Sequence, residues 1–326
     1  MIWLWLAFAG IVIVLLALDL GVFHRHAHRV ELKEAAIWTA VWIAVGLSFG
    51  ALVYLIYQHH WLGAVLPRAS GGESAGGGKA LWLYLTGYVL EKALSIDNIF
   101  VMAVIFGHFS VAPEHQHRVL FWGILGAVVT RGAMIFGGVW LLERFGWLFY
   151  VFGGYLAFTG ARMIFGRGKE RDPERSWYVR AARRVLRITA DFSGPHFVVR
   201  REGKLAFTTL FLVLVVIEAT DVVFALDSVP AVLAITTDPF IVLTSNVFAI
   251  LGLRSLYFVL AAMIDRFVYL KYALAGILVF IGLKMVTHEL VHVPTLVSLG
   301  VILALFAAGV GVSLGPGRNQ STANPR

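Results

Sequence analysis

An all-α, polytopic membrane protein is the fold class this sequence predicts, and three observations carry that prediction. Hydrophobic residues make up 59% of the 326 residues, and charged residues only 14%. Apolar runs of about twenty residues, enough for a helix to cross the hydrocarbon core, recur along most of the chain. One apolar segment also matches a second one further on, which divides much of the chain into two related units.

Taken in order, the apolar runs predict about nine spans. They lie near residues 2–20, 35–57, 80–107, 118–141, 147–165, 205–234, 239–263, 268–286 and 294–314. The first is apolar from its second residue with no basic segment before it, as expected for a retained span rather than a cleaved signal peptide. The chain has no cysteine, so structural disulfides, thiolate ligands and thiol catalysis are all excluded. The organisation read from this is two helices in 1–58, a three-helix unit in 80–166, a basic loop in 167–204, a second three-helix unit in 205–287, a last helix in 293–315 and a tail in 316–326.

A net charge of +8 raises the question of nucleic acid, but its distribution answers it differently. Eleven Lys and Arg fall within residues 166–204, and basic loops stay on the cytoplasmic side. With that loop inside, the expected topology puts the N-terminus outside and the C-terminus in the cytoplasm. The partner of the positive charge is then the bilayer surface. The stretch SWYVRAARRVLRI, within the loop, would suit an amphipathic helix on anionic headgroups.

The internal match runs without gaps from Arg144–Met163 to Arg266–Met285, and nine of its twenty positions are identical. Upstream, Arg131 corresponds to Arg254, Glu91 to Asp221, Asp97 to Asp227, and Asn98 to Ser228. Three spans per unit make the two units opposite in orientation. Inverted repeats of this kind characterise secondary transporters, whose sites lie where the repeats meet near the midplane.

The chemistry sits in the third and sixth spans. The third reads LTGYVLEKALSIDNIFVMAVIF, with Glu91, Asp97 and Asn98; the sixth reads LVLVVIEATDVVFALDSVPAVLAI, with Glu218, Asp221, Asp227 and Ser228. A carboxylate at membrane depth costs about 3 kcal/mol unless it is paired, so these acids mark a functional site by default. Glu91 and Asp97 are six residues apart, hence about 120° apart on an ideal helix and offset by about 9 Å. One ion reaches both only if the backbone unwinds, and Ser95 and Pro230 are the places where a break is expected. Without a break, the acids become separate stations along a path; a single shared site is the favoured expectation.

The donors are all oxygens, which suits a hard or borderline divalent ion such as Mn²⁺, Mg²⁺ or Ca²⁺ over Cu(I) or Zn²⁺. Lys92, Arg131 and Arg254 are expected at the same depth as ion-pair or proton-coupling groups. Five acids against these three bases leave two negative charges, matching one divalent ion. The alternative is structural, with each acid pairing with a base to fix helix packing, and Arg131 and Arg254 lean toward that role. Asp19, at the cytoplasmic end of the first span, is a candidate entrance residue. Asn246 suits either a ligand or a helix–helix hydrogen bond. His24, His26, His28, His115 and His117 offer imidazoles but read as a solvated juxtamembrane face.

ALDLGVFHRHAHRVELKEAAIWTAVWIAVGLSFG, LEKALSIDNIFV and IEATDVVFALDSVPAVLAIT, with the following TSNVFAILGLRSLYF, resemble the TerC family of bacterial membrane proteins, especially its Alx-like branch. The resemblance covers about residues 15–290. It implies manganese export and metal homeostasis, a kinship with LysE-type transporters, and a metal path through Glu91, Asp97, Asn98, Asp221, Asp227 and Ser228. No prosthetic group is expected: the bound species is the transported cation, with Mn²⁺ favoured, and desolvated carboxylates that take up protons when the metal leaves make protons the expected exchange partner. No phosphate-binding GxxxxGK[ST] stretch is present, and Asp97 and Asp227 lack the YD/GxGD pattern of intramembrane proteolysis, so an enzyme is not expected. The rival expectation is a non-transporting membrane partner in tellurium resistance or membrane protein insertion.

Overall fold

The computed structural model describes residues 2–23, 31–64, 76–165, 196–201, 204–262, 269–291 and 293–314. Its helices are α1 (Ile2–Phe23), α2 (Leu32–Gln58), α3 (Gly77–His108), α4 (Pro113–Arg144), α5 (Leu148–Phe165), α6 (Thr209–Leu233), α7 (Pro239–Leu251), α8 (Leu253–Ala261), α9 (Leu270–Val286) and α10 (Thr295–Leu314). An antiparallel hairpin of β1 (Val198–Arg201) and β2 (Lys204–Phe207) precedes α6, pairing Val198 with Phe207 and Arg201 with Lys204. It occupies the end of the segment read as a basic loop. The rest of that loop, His24, His26, His28 and the tail lie outside the described residues.

Among the described residues, six helices are long and apolar enough to cross a membrane, or seven with α7 and α8 taken together. The expectation of nine exceeds this by α3 and α9. α3 is 32 residues long but interrupted by Lys79, Glu91, Lys92 and Asp97. α9 has 17 residues, a rod of about 25 Å.

Helix starts follow local chemistry. Pro113 begins α4 and Pro239 begins α7, positions where the missing N–H costs nothing. Asp238 caps α7 by accepting from the backbone N–H groups of Phe240 and Ile241 at 3.0 and 3.1 Å. Tyr57, at the end of α2, donates to the other Asp238 oxygen at 2.9 Å.

The break in the backbone falls elsewhere than the sequence suggested. α3 runs unbroken past Ser95, and α6 runs unbroken through Pro230. Pro230 lies in the last turn of α6, which continues past it to Leu233. The seventh span is the bent one: α7 and α8 meet at Gly252 with a 45° change of direction. A side chain at Gly252 would meet Trp42 Cβ at 2.7 Å and Lys92 Nζ at 3.2 Å, so α2 and α3 press against the bend.

α3 is central, packing against α2, α6, α7, α8 and α10. α4 lies along α6, and α7 lies along α3. The most extensive contact joins α5 to α9, the two halves of the sequence match. Small residues permit it: a Cβ on Gly160 would sit 2.6 Å from the Ala275 carbonyl oxygen, and one on Gly153 would sit 2.9 Å from that of Gly282. Since 153 opposes 282 while 160 opposes 275, the two helices run antiparallel. In lipid, such close van der Waals packing is a main force between helices.

α1 is peripheral. Its Phe8 joins an aromatic cluster with Phe49, Phe240 and Phe248, in which Phe49 and Phe248 stack at 4.2 Å. A wholly apolar pocket of about 440 Å³ opens between α1, α2 and α7, away from the acids.

Gly160→Leu is expected to destabilise the protein by about 3 kcal/mol or more, because the opposing group is backbone and cannot turn aside. Gly154→Leu, in open space on the same helix, is expected to be near neutral. Thermal unfolding of the two variants in detergent checks the contrast.

Candidate ion site within the helical bundle

Helical spacing builds the site. Glu91, Ser95 and Asn98 fall on one face of α3, and Asp221 and Ser228 on one face of α6, each set spaced by three, four or seven residues. Both faces turn toward Arg131 of α4, which is 2% exposed. Arg131 Nη1 donates to Glu91 Oε1, to Ser228 Oγ at 3.3 Å and to Asn246 Oδ1 of α7 at 3.4 Å. Nη2 and Nε donate to the two oxygens of Asp221 at 2.9 and 3.3 Å, the two-pronged grip that a guanidinium makes on a carboxylate.

Two shorter side chains complete this locus. Ser95 Oγ donates to Glu91 Oε1 at 3.4 Å, and Asn98 Nδ2 to Asp221 Oδ1 at 3.5 Å. Glu91 is fully buried, yet its Oε2 has no hydrogen-bond partner, and neither has Asn246 Nδ2. A crevice beside Asp221, lined by Asn98, Met102, Ile217 and Phe224 among others, is too narrow for a water molecule.

Asp97 and Asp227 are not in this network. Both are half-buried, and their charges lie close enough to act on each other. The Tyr155 hydroxyl of α5 lies beside Asp227, whose Oδ1 is left without a partner. The favoured expectation of one shared site is thereby corrected to two loci. Because α3 and α6 stay unbroken, the 120° divergence between acids six residues apart persists. Glu91 and Asp221 face Arg131, while Asp97 and Asp227 lie outside its grip, near enough for the charge of Asp227 to act on Asp97. Among the described residues no three His, Cys, Asp or Glu side chains converge as a ready metal cage.

The other sequence candidates are distributed around these loci. Glu218 lies against Gly126 of α4, where any side chain would collide with its carboxylate, and the charge of Asp221 acts on it. Lys92 pairs with no carboxylate of either motif; its amine donates to the Ala249 carbonyl at 2.9 Å, in the last turn of α7 before the bend. A cation there also suits the negative end of a helix.

Arg254 does not share the central network, contrary to the expectation of equal depth. Its Nη2 donates to the Asp19 carboxylate at 2.7 Å and to the Asp19 carbonyl at 3.0 Å, tying α8 to α1. Asp19 is correspondingly a buried ion-pair partner instead of a free charge at an entrance. His117 likewise is buried and packs its ring at 4.3 Å from Phe258, not in solvent.

Tyr155 was not legible as a site residue, since its counterpart in the second unit is the apolar Ile277. The partnership of Asn246 with Arg131 was open in the sequence and is decided here as a contact to a side chain of another helix.

Helices of this length and composition around a buried ionic centre define a polytopic integral membrane protein. The chain belongs to the integral membrane protein TerC family, which matches residues 77–320. It is 47% identical to an uncharacterised membrane protein of Myxococcus xanthus over 98% of this chain and 95% of that protein. It is 46% identical to proteins of Salmonella typhi and Escherichia coli K12, each described as a candidate membrane-bound redox modulator, Alx, over 93% of this chain and 91% of theirs. No solved structure matches.

Asp19→Ala is expected to cost about 3–5 kcal/mol, since it removes the carboxylate that the buried Arg254 guanidinium holds. Adding Arg254→Met is expected to recover most of that loss, and a double-mutant cycle on thermal unfolding measures it.

Proposed function

We propose that this protein is a secondary transporter that exports a divalent metal cation, Mn²⁺ foremost, from the bacterial cytoplasm across the inner membrane in exchange for protons. The observation that carries the reading is the Asp97–Asp227 pair: two half-buried carboxylates near enough for the charge of one to act on the other, one with an unpartnered oxygen, and neither ion-paired to a basic side chain among the described residues. A divalent ion between them resolves their repulsion. When it leaves, a proton shared by the pair does the same.

The charge balance favours a cation more strongly than the sequence alone suggested. With Arg254 committed to Asp19, the five acids of the two motifs face Lys92 and Arg131 alone, an excess of three negative charges when all are ionised. The ligands on offer remain oxygens, the preference of Mn²⁺, Mg²⁺ and Ca²⁺.

An inverted repeat of α3–α5 and α6–α9 is supported by how equivalent residues meet. Glu91 and its counterpart Asp221 share Arg131, and Asp97 lies near enough to its counterpart Asp227 to feel its charge. Gly153 opposes Gly282, while their respective counterparts Ala275 and Gly160 oppose each other. Such reciprocity is what a two-fold axis in the membrane plane produces. In this reading α3 and α9 also cross the bilayer, giving nine spans, an external N-terminus and a cytoplasmic C-terminus. The narrow crevice at Asp221 corresponds to a closed state in an alternating-access cycle.

A non-transporting partner role remains the rival reading. A redox role, as in the relatives' names, would have to run without a thiol–disulfide couple in this chain, which has no cysteine.

Inside-out proteoliposomes loaded with a pH-sensitive dye test the proposal. Added Mn²⁺ is expected to be taken up with proton movement in the opposite direction, and Asp97→Asn or Asp227→Asn to slow uptake by about a hundredfold. Absence of both metal and proton movement in the wild type would overturn transport. Undiminished uptake in both variants would instead overturn the site.

A further inference from the structure

We propose that Arg131 is a built-in counter-cation: it occupies the Glu91–Asp221 station when the station holds no metal and must move aside for the metal to bind there. The inference deepens the transport reading and rests on it for the identity of the cargo.

Four features point to a removable cation and not a plain structural lock. First, the station holds more acceptors than the guanidinium satisfies. Glu91 Oε2 is left unpartnered in a residue of zero exposure, while Asp221, Ser228 and Asn246 add further oxygens around the same point. An oxygen-rich cradle around one positive charge is also a cradle for a hard divalent ion.

Second, the other nearby bases are committed elsewhere, Lys92 to the Ala249 carbonyl and Arg254 to Asp19. Arg131 alone therefore serves two carboxylates drawn from the two halves of the chain. Third, the sequence match pairs Arg131 with Arg254, yet one arginine enters the centre and the other leaves it. The single central arginine makes the station asymmetric, as a device with one mobile cation would be. Fourth, the guanidinium is carried on a long side chain from α4, a helix that supplies none of the acids it binds.

The consequence is competition. Arg131 offsets one of the two negative charges of the empty station, so the return step does not carry a bare dianionic site, and it weakens metal binding enough for release.

The test is Mn²⁺ binding to the full-length protein in detergent, followed by electron paramagnetic resonance, in an Asp97→Asn/Asp227→Asn background that isolates this station. Arg131→Gln is expected to bind Mn²⁺ at least about tenfold more tightly than the background, and adding Glu91→Gln is expected to abolish the gain. In the otherwise wild-type protein, Arg131→Gln is expected to slow transport while tightening binding, a combination that a structural lock does not produce.

Arg131→Lys, which keeps the charge but loses the two-pronged grip, is expected to fall between and covers the case in which Arg131→Gln does not fold. Unchanged or weaker Mn²⁺ binding in the folded Gln variant, or in the Lys variant where Gln fails to fold, overturns the inference. Tighter binding in a protein whose wild type moves no Mn²⁺ keeps the counter-cation and overturns the transport reading instead.

Discussion

The grip of Arg131 on Glu91 and Asp221 is the constraint on which the centre of this protein depends. Two carboxylates from different helices and a guanidinium from a third are buried together. Each would be costly alone in a low-dielectric interior, and removing any one strands the others. The network therefore fixes α3, α4 and α6 at one depth, with α7 held through Asn246. The remaining packing is mostly apolar and could slide; the ionic centre supplies the register.

From that register the second locus follows. Once Glu91 and Asp221 point at Arg131, an unbroken helix has no choice about where residues six positions later point. Asp97 and Asp227 are carried to another side of their helices, away from the guanidinium and within reach of each other's field. The distinction between a filled station and an unfilled one thus comes from helix geometry and one arginine, not from any difference in the acids.

Much of this was legible in the chain. Acids in apolar runs named Glu91, Asp97, Asp221 and Asp227, and self-comparison paired Glu91 with Asp221, the two that share Arg131. Partners were harder to read, because a buried arginine can serve any acid within reach. Arg131 and Arg254 align in the sequence, yet Asp19 captures Arg254 from α1, which lies outside the repeat altogether. The break was misplaced for a related reason. Ser95 and Pro230 are local signals, whereas the bend at Gly252 is set by Trp42 and Lys92 from two other helices. Tyr155 carried no signal because its counterpart is isoleucine, so the repeat could not flag it.

The bend gives the central asymmetry a structural setting. The first unit crosses with an unbroken α4, which brings Arg131 to the acids; the equivalent crossing in the second unit is split into α7 and α8. That split redirects the chain at Gly252, two residues before Arg254, and Lys92 braces the end of α7 from the neighbouring helix. Were the second crossing as straight as the first, Arg254 would continue along the line of α7, where its counterpart's position predicts a second central guanidinium. Two arginines would leave Glu91, Asp221 and their neighbours with little negative charge to offer a metal. The bent helix, its brace and the Asp19 pair together keep one cation out of the centre, and the unpaired charge of Asp97 and Asp227 is what they leave behind.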